Sequence, residues 1–437
     1  MPRPVIDLDL VRREPAKVKE NLARRQAPQF LELLATAQTA DEEWRRLHQE
    51  ADRLRRRRNE LSQAMAEARK RSEDPAELKA EAQQLPARLA ELEAHETEFE
   101  ATRDRTLMRV PNLLDESVPY GMDDHDNATV ATWGEPVHHA FPALSHVELA
   151  EKLGVADFDR ARRASGAGFY YLKGALAELD LALQRFALDV LLKRGFTLVE
   201  PPFMLRRAPY EGVTDLSDFE NVMYKIEGDD LYLIATSEHP LAALYMGEIL
   251  EEDDLPIRLA GLSTCFRREI GGHGVDQKGV FRVHQFQKIE QFIFCRPEDS
   301  PKYHEELRAN AEEIFRQLKV PYRVVNVCTG DIGTVAAKKY DIEAYFAKQE
   351  GYREVVSCSN CTDYQARRLG IRMGKRGKPG KTVPHTLNST AVATSRAMAV
   401  VLENYQNADG TVTVPEVLRP YMGGLERIAP RAKGPQA

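Results

Sequence analysis

The chain has 437 residues and a net charge of −7, so it is long enough for about two or three domains and too acidic for indiscriminate binding to nucleic acid. No uncharged apolar run reaches membrane-spanning length, and the charged N-terminal stretch is unlike an export signal. Five cysteines, an odd number in a long chain, are typical of a reducing compartment. We therefore expect a cytoplasmic protein without a membrane segment.

From about residue 29 to residue 109 the sequence has the pattern of two long helices. Leu47, Leu54 and Leu61 recur every seven residues, and the same spacing resumes after a break at residues 72–77. Sevenfold apolar spacing predicts a coiled coil, and so short a link predicts that the two helices run antiparallel. At ~1.5 Å per helical residue, such an arm would project about 60 Å.

The first helix of this arm carries five arginines in six positions. A charge run of this kind is most often a solvated helix face. It would also suit the phosphates and riboses of RNA, since a helix cannot enter the deep major groove of an A-form duplex. The residues alone leave both a structural arm and an RNA-binding arm open. The arginines are Arg53, Arg55, Arg56, Arg57 and Arg58.

The middle of the chain changes character twice. Residues 111–139 are rich in Pro, Asp and Asn, which predicts a linker. A strong helical pattern follows at Leu176–Arg194, then the extended piece FTLVE and Pro201-Pro202. Later strand-like segments are short, and no βαβ unit with a glycine fingerprint is present. This pattern predicts an α+β domain with an antiparallel sheet flanked by helices.

The most informative stretch is Cys265–Glu290, CFRREIGGHGVDQKGVFRVHQFQKIE. It predicts a hairpin of two antiparallel strands, and its loop at Gly271–Gly279 can fold over a ligand. Alternate residues on one strand share a face of the sheet, so the return strand would present two cations, an aromatic ring and a carboxylate together. That row suits a nucleotide and an amine. Its members are Arg282, His284, Phe286, Lys288 and Glu290.

This hairpin resembles motif 2 of the class II aminoacyl-tRNA synthetases, and HQFQKIE is similar to the wording of the seryl-tRNA synthetase family. Other segments resemble that family in the same order over nearly the whole chain. They are DLDLVRREPAKVKENLARR near the start, TSEH at Thr236–His239, REVVSCSN at Arg353–Asn360, HTLNSTAVATSRAMAVVLENYQ at His385–Gln406, and VPEVLRPYMGG near the end.

The resemblance implies an N-terminal tRNA-binding domain at residues 1–110, whose antiparallel coiled-coil arm spans about 29–109. It implies a linker at 111–139 and a class II catalytic domain at 140–437. Within that domain, motif 1 corresponds to about 176–202, motif 2 to about 262–290 and motif 3 to about 385–406. Motif 1 is the dimer interface of the family, so the resemblance implies a homodimer.

The activity implied is that of an ATP-dependent ligase that forms seryl-adenylate and transfers serine to the 3′ end of tRNA(Ser), and of tRNA(Sec) where that is present. The serine carboxylate is already ionised at neutral pH, so the reaction requires neither a general base nor a protein nucleophile. The enzyme must instead offset the repulsion between anions and hold them in line. The partners implied are serine, ATP with Mg²⁺, and the tRNA, which the arm arginines would contact.

The resemblance assigns roles residue by residue. Catalysis would depend on Arg267, Glu269 and Arg396, with Arg267 bridging the serine carboxylate and the α-phosphate and Arg396 holding the γ-phosphate. The ATP site would comprise Arg267, Arg268, Glu269, Arg282, Val283, Phe286, Glu354, Val355, Val356, Ser357 and Arg396. Glu354 and Ser357 would bind Mg²⁺. The serine site would comprise Thr236, Ser237, Glu238, Arg267, Glu290, Asn388 and Thr390.

Some features have no assigned role or depart from the common bacterial wording. NSTAVATSR replaces a glycine-rich NGSGLAVGR, although Thr390 keeps a hydroxyl at the key place. His239 and His273 have no clear role. Cys358 and Cys361 form a CxxC pair without further ligands nearby, so we expect buried thiols and no zinc.

Three alternatives to a housekeeping synthetase stay open. A class II relative that loads a carrier protein would lack the long arm. A non-enzymatic scaffold would be expected to lose Arg267, Glu269, Glu354 or Arg396, and all four are present. A specialised duplicate enzyme would keep all of these features.

Overall fold

The structure is a computed structural model that describes residues 6–72, 74–215, 220–269, 279–375 and 377–430. It divides into two compact units, one of residues Pro4–Leu113 and a larger one that contains Leu114–Ala437. Most of the predicted motif 2 loop, including His273, lies outside the described residues. So does Glu73, in the predicted break of the arm.

The smaller unit is helical. Its helices are α1 Leu8–Arg13, α2 Pro15–Ala23, α3 Pro28–Lys70 and α4 Ala76–Leu107. Helices α3 and α4 bury a shared seam that includes Leu47, Ala51, Leu89 and Leu92. Cross-helix pairs such as Arg57 with Glu81 occur between them. The predicted coiled-coil arm is confirmed.

The arm helices run antiparallel, as their cross-helix ion pairs show. His48 near the start of the α3 seam lies 2.6 Å from Glu96 late in α4. Further along α3, Arg57 pairs instead with Glu81, which is early in α4. The α4 helix continues through Pro86. Because α3 has 43 residues, it extends about 60 Å at ~1.5 Å per residue.

The described part of the larger unit is built on an eight-stranded sheet, in the order β1, β10, β11, β12, β14, β9, β8, β4. Every pair is antiparallel except β4 with β8. The strands are β1 Ala128–Trp133, β4 Thr197–Val199, β8 Ile257–Phe266, β9 Gln285–Cys295, β10 Tyr322–Asn326, β11 Lys338–Phe346, β12 Gly351–Thr362 and β14 His385–Ala393. The edge strand β1 falls within the segment interpreted as a linker.

Short strands pair outside this sheet. They are β2 Ala156–Asp157, β3 Tyr171–Leu172, β5 Met204–Leu205, β6 Tyr232–Leu233, β7 Ile249–Glu251, β13 Arg372–Gly374, β15 Val412–Thr413 and β16 Arg427–Ile428. The helices are α5 His146–Lys152, α6 Phe158–Ser165, α7 Ala175–Leu192, α8 Arg207–Val213, α9 Glu238–Ala243, α10 Ser300–Gln317, α11 Tyr364–Arg368 and α12 Thr394–Asn404.

Helices cover one face of the sheet and part of the other. The main core joins α7, α10 and α12 to the sheet through residues such as Leu183, Ile314 and Ile289. A second core packs α8, α9 and α11 against Phe292 and Phe294 of β9. The rest of that second face stays open as a cleft. The predicted α+β class, with an antiparallel sheet flanked by helices, is confirmed.

In the part of the chain that the structure describes, each helix is too short or too polar to cross a lipid bilayer.

Candidate active site

A cleft of about 560 Å³ opens on the sheet face formed by β9, β11, β12 and β14. It brings together side chains that are far apart in the sequence, from the TSEH segment, motif 2, the 353–360 segment and motif 3. The predicted residues that line it are Thr236, Glu238, Arg267, Glu269, Arg282, Val283, Phe286, Glu290, Glu354, Val355, Ser357, Asn388, Thr390 and Arg396.

Three predicted residues do not line this cleft. The Ser237 hydroxyl is fully buried and donates to the carbonyl of Gly261 at 3.5 Å. The Arg268 side chain is exposed, while its backbone N–H donates to the carbonyl of Val222. Val356 is buried in the helix-covered core. These three side chains are therefore not part of the cleft lining.

Val356 faces the core by ordinary alternation along β12, as Cys358 does, and a β-bulge explains why Glu354 reaches the cleft. The pairing of β12 with β11 slips by one residue next to Val355. An extra residue at a bulge disturbs the in-and-out alternation of a strand. Glu354, Val355 and Ser357 consequently all line the cleft, and Val355 also packs in the helix-covered core beside Val356.

The predicted hairpin of β8 and β9 forms one side of the cleft, with Cys265 opposite Phe286. The expected single row of side chains is only partly correct. Strand β9 begins at Gln285, so Arg282 and His284 precede it. The His284 ring stacks on Phe169 at 5.1 Å between centroids, outside the cleft lining.

One part of the cleft combines a flat ring with positive charge. The Arg267 guanidinium lies 5.4 Å from the centre of the Phe286 ring and its Nε donates to the carbonyl of Ala235 at 3.3 Å. Arg282 Nε lies 3.8 Å from a carboxylate oxygen of Glu269. A purine can stack on Phe286 while Arg267 faces an anion, because the two side chains line the same cavity.

A second charged group lies where β12 meets α12. Arg396 contacts the Glu354 carboxylate at 3.0 Å and donates to the Glu354 backbone carbonyl at 2.9 Å. Enclosure in the cleft opposes ionisation of Glu354, but Arg396 and Lys339 outweigh it and hold the pKa of Glu354 at about 2. Glu354 is therefore an anion at neutral pH, and its side chain is still 43% exposed.

Two carboxylates at the other end of the cleft are held differently. Glu290 pairs with Lys288 at 2.5 Å, and both side chains are nearly buried. Desolvation raises the pKa of Glu290 against the opposing effect of Lys288. Glu238 instead accepts hydrogen bonds from the neutral amides of Gln365 at 2.8 Å and Asn388 at 3.0 Å. Desolvation and the charge of Glu290 raise the pKa of Glu238 to about 7.

The sequence assignment missed several cleft residues. Lys288 belonged to the predicted strand row but received no role, although the alternation that put Glu290 in the cleft applies to it equally. Lys339 lies on β11, outside every quoted motif, and reaches the cleft because it is paired in register with Ser359. Its Nζ lies 2.9 Å from Asp341, and that carboxylate raises the pKa of Lys339 against desolvation.

His239 lines the cleft and is 2% exposed. Its Nδ1 lies 2.9 Å from the Tyr210 hydroxyl. Desolvation, with Lys288 and Arg267 nearby, lowers the pKa of His239 to about 3. The imidazole is therefore neutral at physiological pH and acts as a hydrogen-bonding group of the wall.

The two thiols of the CxxC pair face opposite sides of the sheet. Cys358 belongs to the helix-covered core, where its Sγ donates to the carbonyl of His304 at 3.8 Å. Cys361 lines the cleft and its Sγ accepts a hydrogen bond from Asn388 at 3.3 Å. Both thiols are buried, as predicted. The absence of zinc stays a prediction.

The arginines of the arm form two groups. Arg55 pairs with Glu93 at 2.9 Å and Arg57 pairs with Glu81 at 2.8 Å, so these two help to join α3 to α4. The other three are exposed, and Arg56 Nε donates to the backbone carbonyl of Asp52 at 3.3 Å. This outward group is Arg53, Arg56 and Arg58.

Comparison with known proteins identifies both units. Residues 5–114 match the family model of the seryl-tRNA synthetase N-terminal domain. Residues 222–405 match that of the tRNA synthetase class II core domain (G, H, P, S and T). A serine–tRNA ligase from Methanocella arvoryzae is 58% identical over 428 residues, which cover 97% of this chain and 100% of that protein.

Two solved structures that resemble this chain belong to the same family. The crystal structure of seryl-tRNA synthetase from Pyrococcus horikoshii complexed with ATP has 46% identity and a TM-score of 0.95, and the match covers 98% of this chain and 100% of that one. The cytoplasmic serine–tRNA ligase from Naegleria fowleri in complex with AMP has 34% identity and a TM-score of 0.90 over the same shares.

Proposed function

Because this chain belongs to the seryl-tRNA synthetase family, we propose that its sheet-face cleft is the place where serine and ATP react. The protein is an ATP-dependent serine–tRNA ligase. The serine carboxylate attacks the α-phosphate and pyrophosphate leaves; the terminal ribose hydroxyl of the tRNA then attacks the seryl-adenylate carbonyl and AMP leaves. The observation that carries the proposal is that aromatic, cationic and carboxylate groups suited to both substrates line one cavity.

We propose that Arg267 is the central catalytic residue. It lies over Phe286, so a purine on that ring would bring the α-phosphate within reach of the guanidinium. A guanidinium can bridge two oxyanions, which suits the incoming carboxylate and the phosphate that it attacks. Arg267 would thus offset the repulsion that grows as the anions approach. Glu269 and the backbone near Val283 would bind the adenine edge.

The outer phosphates would extend toward Arg396 and Lys339. In this arrangement Arg396 exchanges its contact with Glu354 for the γ-phosphate. Glu354 and Ser357 offer the carboxylate and hydroxyl oxygens that Mg²⁺ prefers, so the donor chemistry of the cleft fits that ion. When bound, Mg²⁺ would neutralise phosphate charge. The low pKa of Glu354 keeps the carboxylate ionised for this role.

Serine would occupy the end of the cleft that holds the two carboxylates. The charge of Glu290 is already matched by Lys288, whereas the partners of Glu238 in the described residues are neutral amides. We therefore assign the serine ammonium to Glu238. Glu290 and Thr390 would hold the serine hydroxyl, and Thr236 and Asn388 complete the lining. A pocket that bonds a hydroxyl rejects alanine, because its polar groups would otherwise stay buried and unpaired.

The arm would bind tRNA(Ser), and tRNA(Sec) where that is present. The outward arginines Arg53, Arg56 and Arg58 support this role, since their guanidinium groups are available to phosphates. Contacts to phosphate and ribose report the shape of an RNA, which suits recognition of a long duplex arm. Arg55 and Arg57 would act mainly by holding the two arm helices together.

A homodimer is the assembly that we propose. Exposed apolar side chains are frequent in the motif 1 region, at Leu181, Leu192, Leu198, Phe203 and Met204. Strand β4 of the same region is an edge of the sheet. Proteins seldom leave an apolar sheet edge uncovered.

The cytoplasm is the compartment that we propose, and five free thiols support it.

A screen of the twenty amino acids for ATP–pyrophosphate exchange tests the proposed site. Serine alone should support exchange in the wild type, and a Glu238→Gln variant should need far more serine while its KM for ATP stays the same. Exchange supported equally by alanine would contradict the assignment of a hydroxyl-binding pocket.

A further inference from the structure

A buried chain of hydrogen bonds lies behind the carboxylate to which we assign the serine ammonium. The Thr386 hydroxyl donates to Gln365 Oε1 at 2.8 Å. Gln365 Nε2 donates to Glu238 Oε1 at 2.8 Å. Gln365 and Thr386 are both 0% exposed and neither lines the cleft. These two residues therefore reach the substrate only through Glu238.

The orientation of the Gln365 amide follows from its neighbours. Besides Glu238, its Nε2 also donates to the backbone carbonyl of Val213, at 3.4 Å. A backbone carbonyl and an ionised carboxylate only accept hydrogen bonds, so the NH₂ group must face both of them. The amide oxygen then faces Thr386, whose hydroxyl satisfies it. Helix α11 thus delivers one amide in one orientation.

Both amide donors converge on the same oxygen of Glu238. Gln365 Nε2 and Asn388 Nδ2 both contact Oε1, at 2.8 and 3.0 Å. The second oxygen of the carboxylate is thereby left for a ligand in the cleft that Glu238 lines. Fixing a carboxylate in advance lowers the ordering cost of binding a small zwitterion.

We propose that Gln365 and Thr386 are positioning residues for serine, which hold Glu238 in the orientation that accepts the substrate ammonium. The inference rests on the proposed role of Glu238. Both residues would affect serine and leave ATP unaffected, because the groups assigned to the nucleotide lie on other elements. Burial and the charge of Glu290 oppose ionisation of Glu238. Gln365 would favour the ionised form, as Lys288 and Arg267 do.

The test is pyrophosphate exchange with Gln365→Leu and Thr386→Val. We expect the KM for serine to rise roughly tenfold or more in Gln365→Leu, as expected when a hydrogen bond to a charged group is lost. The KM for ATP and the kcat at saturating serine should stay within about twofold of the wild type in this scheme. Thr386→Val should shift the serine KM in the same direction. Thr386→Ser keeps the hydroxyl, so its serine KM should match that of the wild type.

A matched control is available on the other face of the sheet. Gln291 is also 0% exposed, and its amide donates to Leu307 O at 3.2 Å and accepts from Asn310 at 2.8 Å. Gln291→Leu should lower the unfolding midpoint without changing the serine KM. If Gln291→Leu raises the serine KM as much as Gln365→Leu does, the effect is general destabilisation and the inference is overturned.

Two other outcomes separate this inference from the function on which it depends. An unchanged serine KM in Gln365→Leu, with a raised one in Glu238→Gln, overturns the positioning role and keeps the proposed serine site. An unchanged serine KM in Glu238→Gln overturns the assignment of Glu238, and the positioning role with it.

Discussion

Glu238 and Glu290 have the same side chain and share one pocket, yet their surroundings prepare them for different tasks. Glu290 is neutralised by Lys288 at 2.5 Å. Glu238 is held by neutral amides and lies in a poorly solvated place, so removing a proton from it costs more free energy. An arriving ammonium group would offset that cost. The free energy of binding would then come partly from relieving an unfavourable charge.

The pH dependence of serine use should report Glu238. Its pKa of about 7 predicts that kcat/KM for serine falls as the pH drops through 7, because protonated Glu238 no longer attracts the ammonium group. His239 does not contribute, since its pKa of about 3 keeps it neutral there. Pyrophosphate exchange measured from pH 5.5 to 9 should show this acidic limb of the pH profile, in which kcat/KM for serine falls roughly tenfold per pH unit.

Glu238→Gln provides the control for that profile. The limb should disappear from its kcat/KM for serine. Desolvation also raises the pKa of Asp341 to about 7, but that residue lies beside Lys339 near the proposed phosphate site. A limb that persists in Glu238→Gln, or one found equally for ATP, would point to Asp341 instead.

Arg267→Ala should reduce serine-dependent exchange by roughly a hundredfold to a thousandfold, the usual effect of removing a group that stabilises transition-state charge. Its unfolding midpoint should barely change, because Arg267 is only partly buried. The neighbouring Arg268→Ala is the informative comparison. Its side chain is exposed and outside the cleft, so exchange should stay within a few-fold of the wild type. Equal losses in both variants would remove the special role of Arg267.

At the residue level, the sequence could predict most of the cleft, because motif residues on strands alternate between faces. It failed for Val356, which regular alternation along β12 places in the core. The bulge at Val355 brings Glu354 to the cleft, and nothing in REVVSCSN marks the extra residue. His284 fell outside the cleft, whereas Arg282 lines it although both residues precede β9, which starts later than its pattern suggests. Lys339 was missed because only the register between β11 and β12 brings it to the cleft.

The arm is the element most clearly predicted, since a sevenfold repeat over many turns admits few other structures. The sequence could not predict which of its arginines pair with α4 and which face outward. Which guanidinium groups face the returning helix depends on how α3 and α4 align, and the ion pairs of Arg55 and Arg57 reveal that alignment.

This division predicts unequal effects on tRNA charging. The triple variant Arg53→Ala, Arg56→Ala, Arg58→Ala should lower kcat/KM for tRNA(Ser) and flatten its dependence on salt, with a log–log slope reduced by about two to three. Serine-dependent exchange should be unchanged, because we propose that the adenylate forms in the other unit. The double variant Arg55→Ala, Arg57→Ala should affect charging less, since those groups already contact carboxylates. Equal charging by the triple variant and the wild type would make the arm arginines bystanders.

The chain combines one compact unit that we propose binds the tRNA with a second compact unit that we propose forms the adenylate. The N-terminal match argues against a relative that loads a carrier protein, which would not need the arm. In the proposed reaction the two units act one after the other, because seryl-adenylate is useful only when the correct tRNA arrives. The division between pyrophosphate exchange and tRNA charging is therefore the natural assay for this protein.

The proposed dimer gives a prediction for the molecule as a whole. Leu181 is 65% exposed on α7, an otherwise well-buried helix. Leu181→Glu should yield monomers in analytical ultracentrifugation. The free energy needed to bury a carboxylate in an apolar interface is far larger than the free energy gained from the contact at that position. Exchange should fall with dimer content, since α7 packs beneath β9 of the catalytic hairpin. Met122→Glu is the matched control, being 67% exposed outside motif 1, and should remain dimeric. A Leu181→Glu protein that stays dimeric, or a wild type that is monomeric and fully active, would refute the proposed interface.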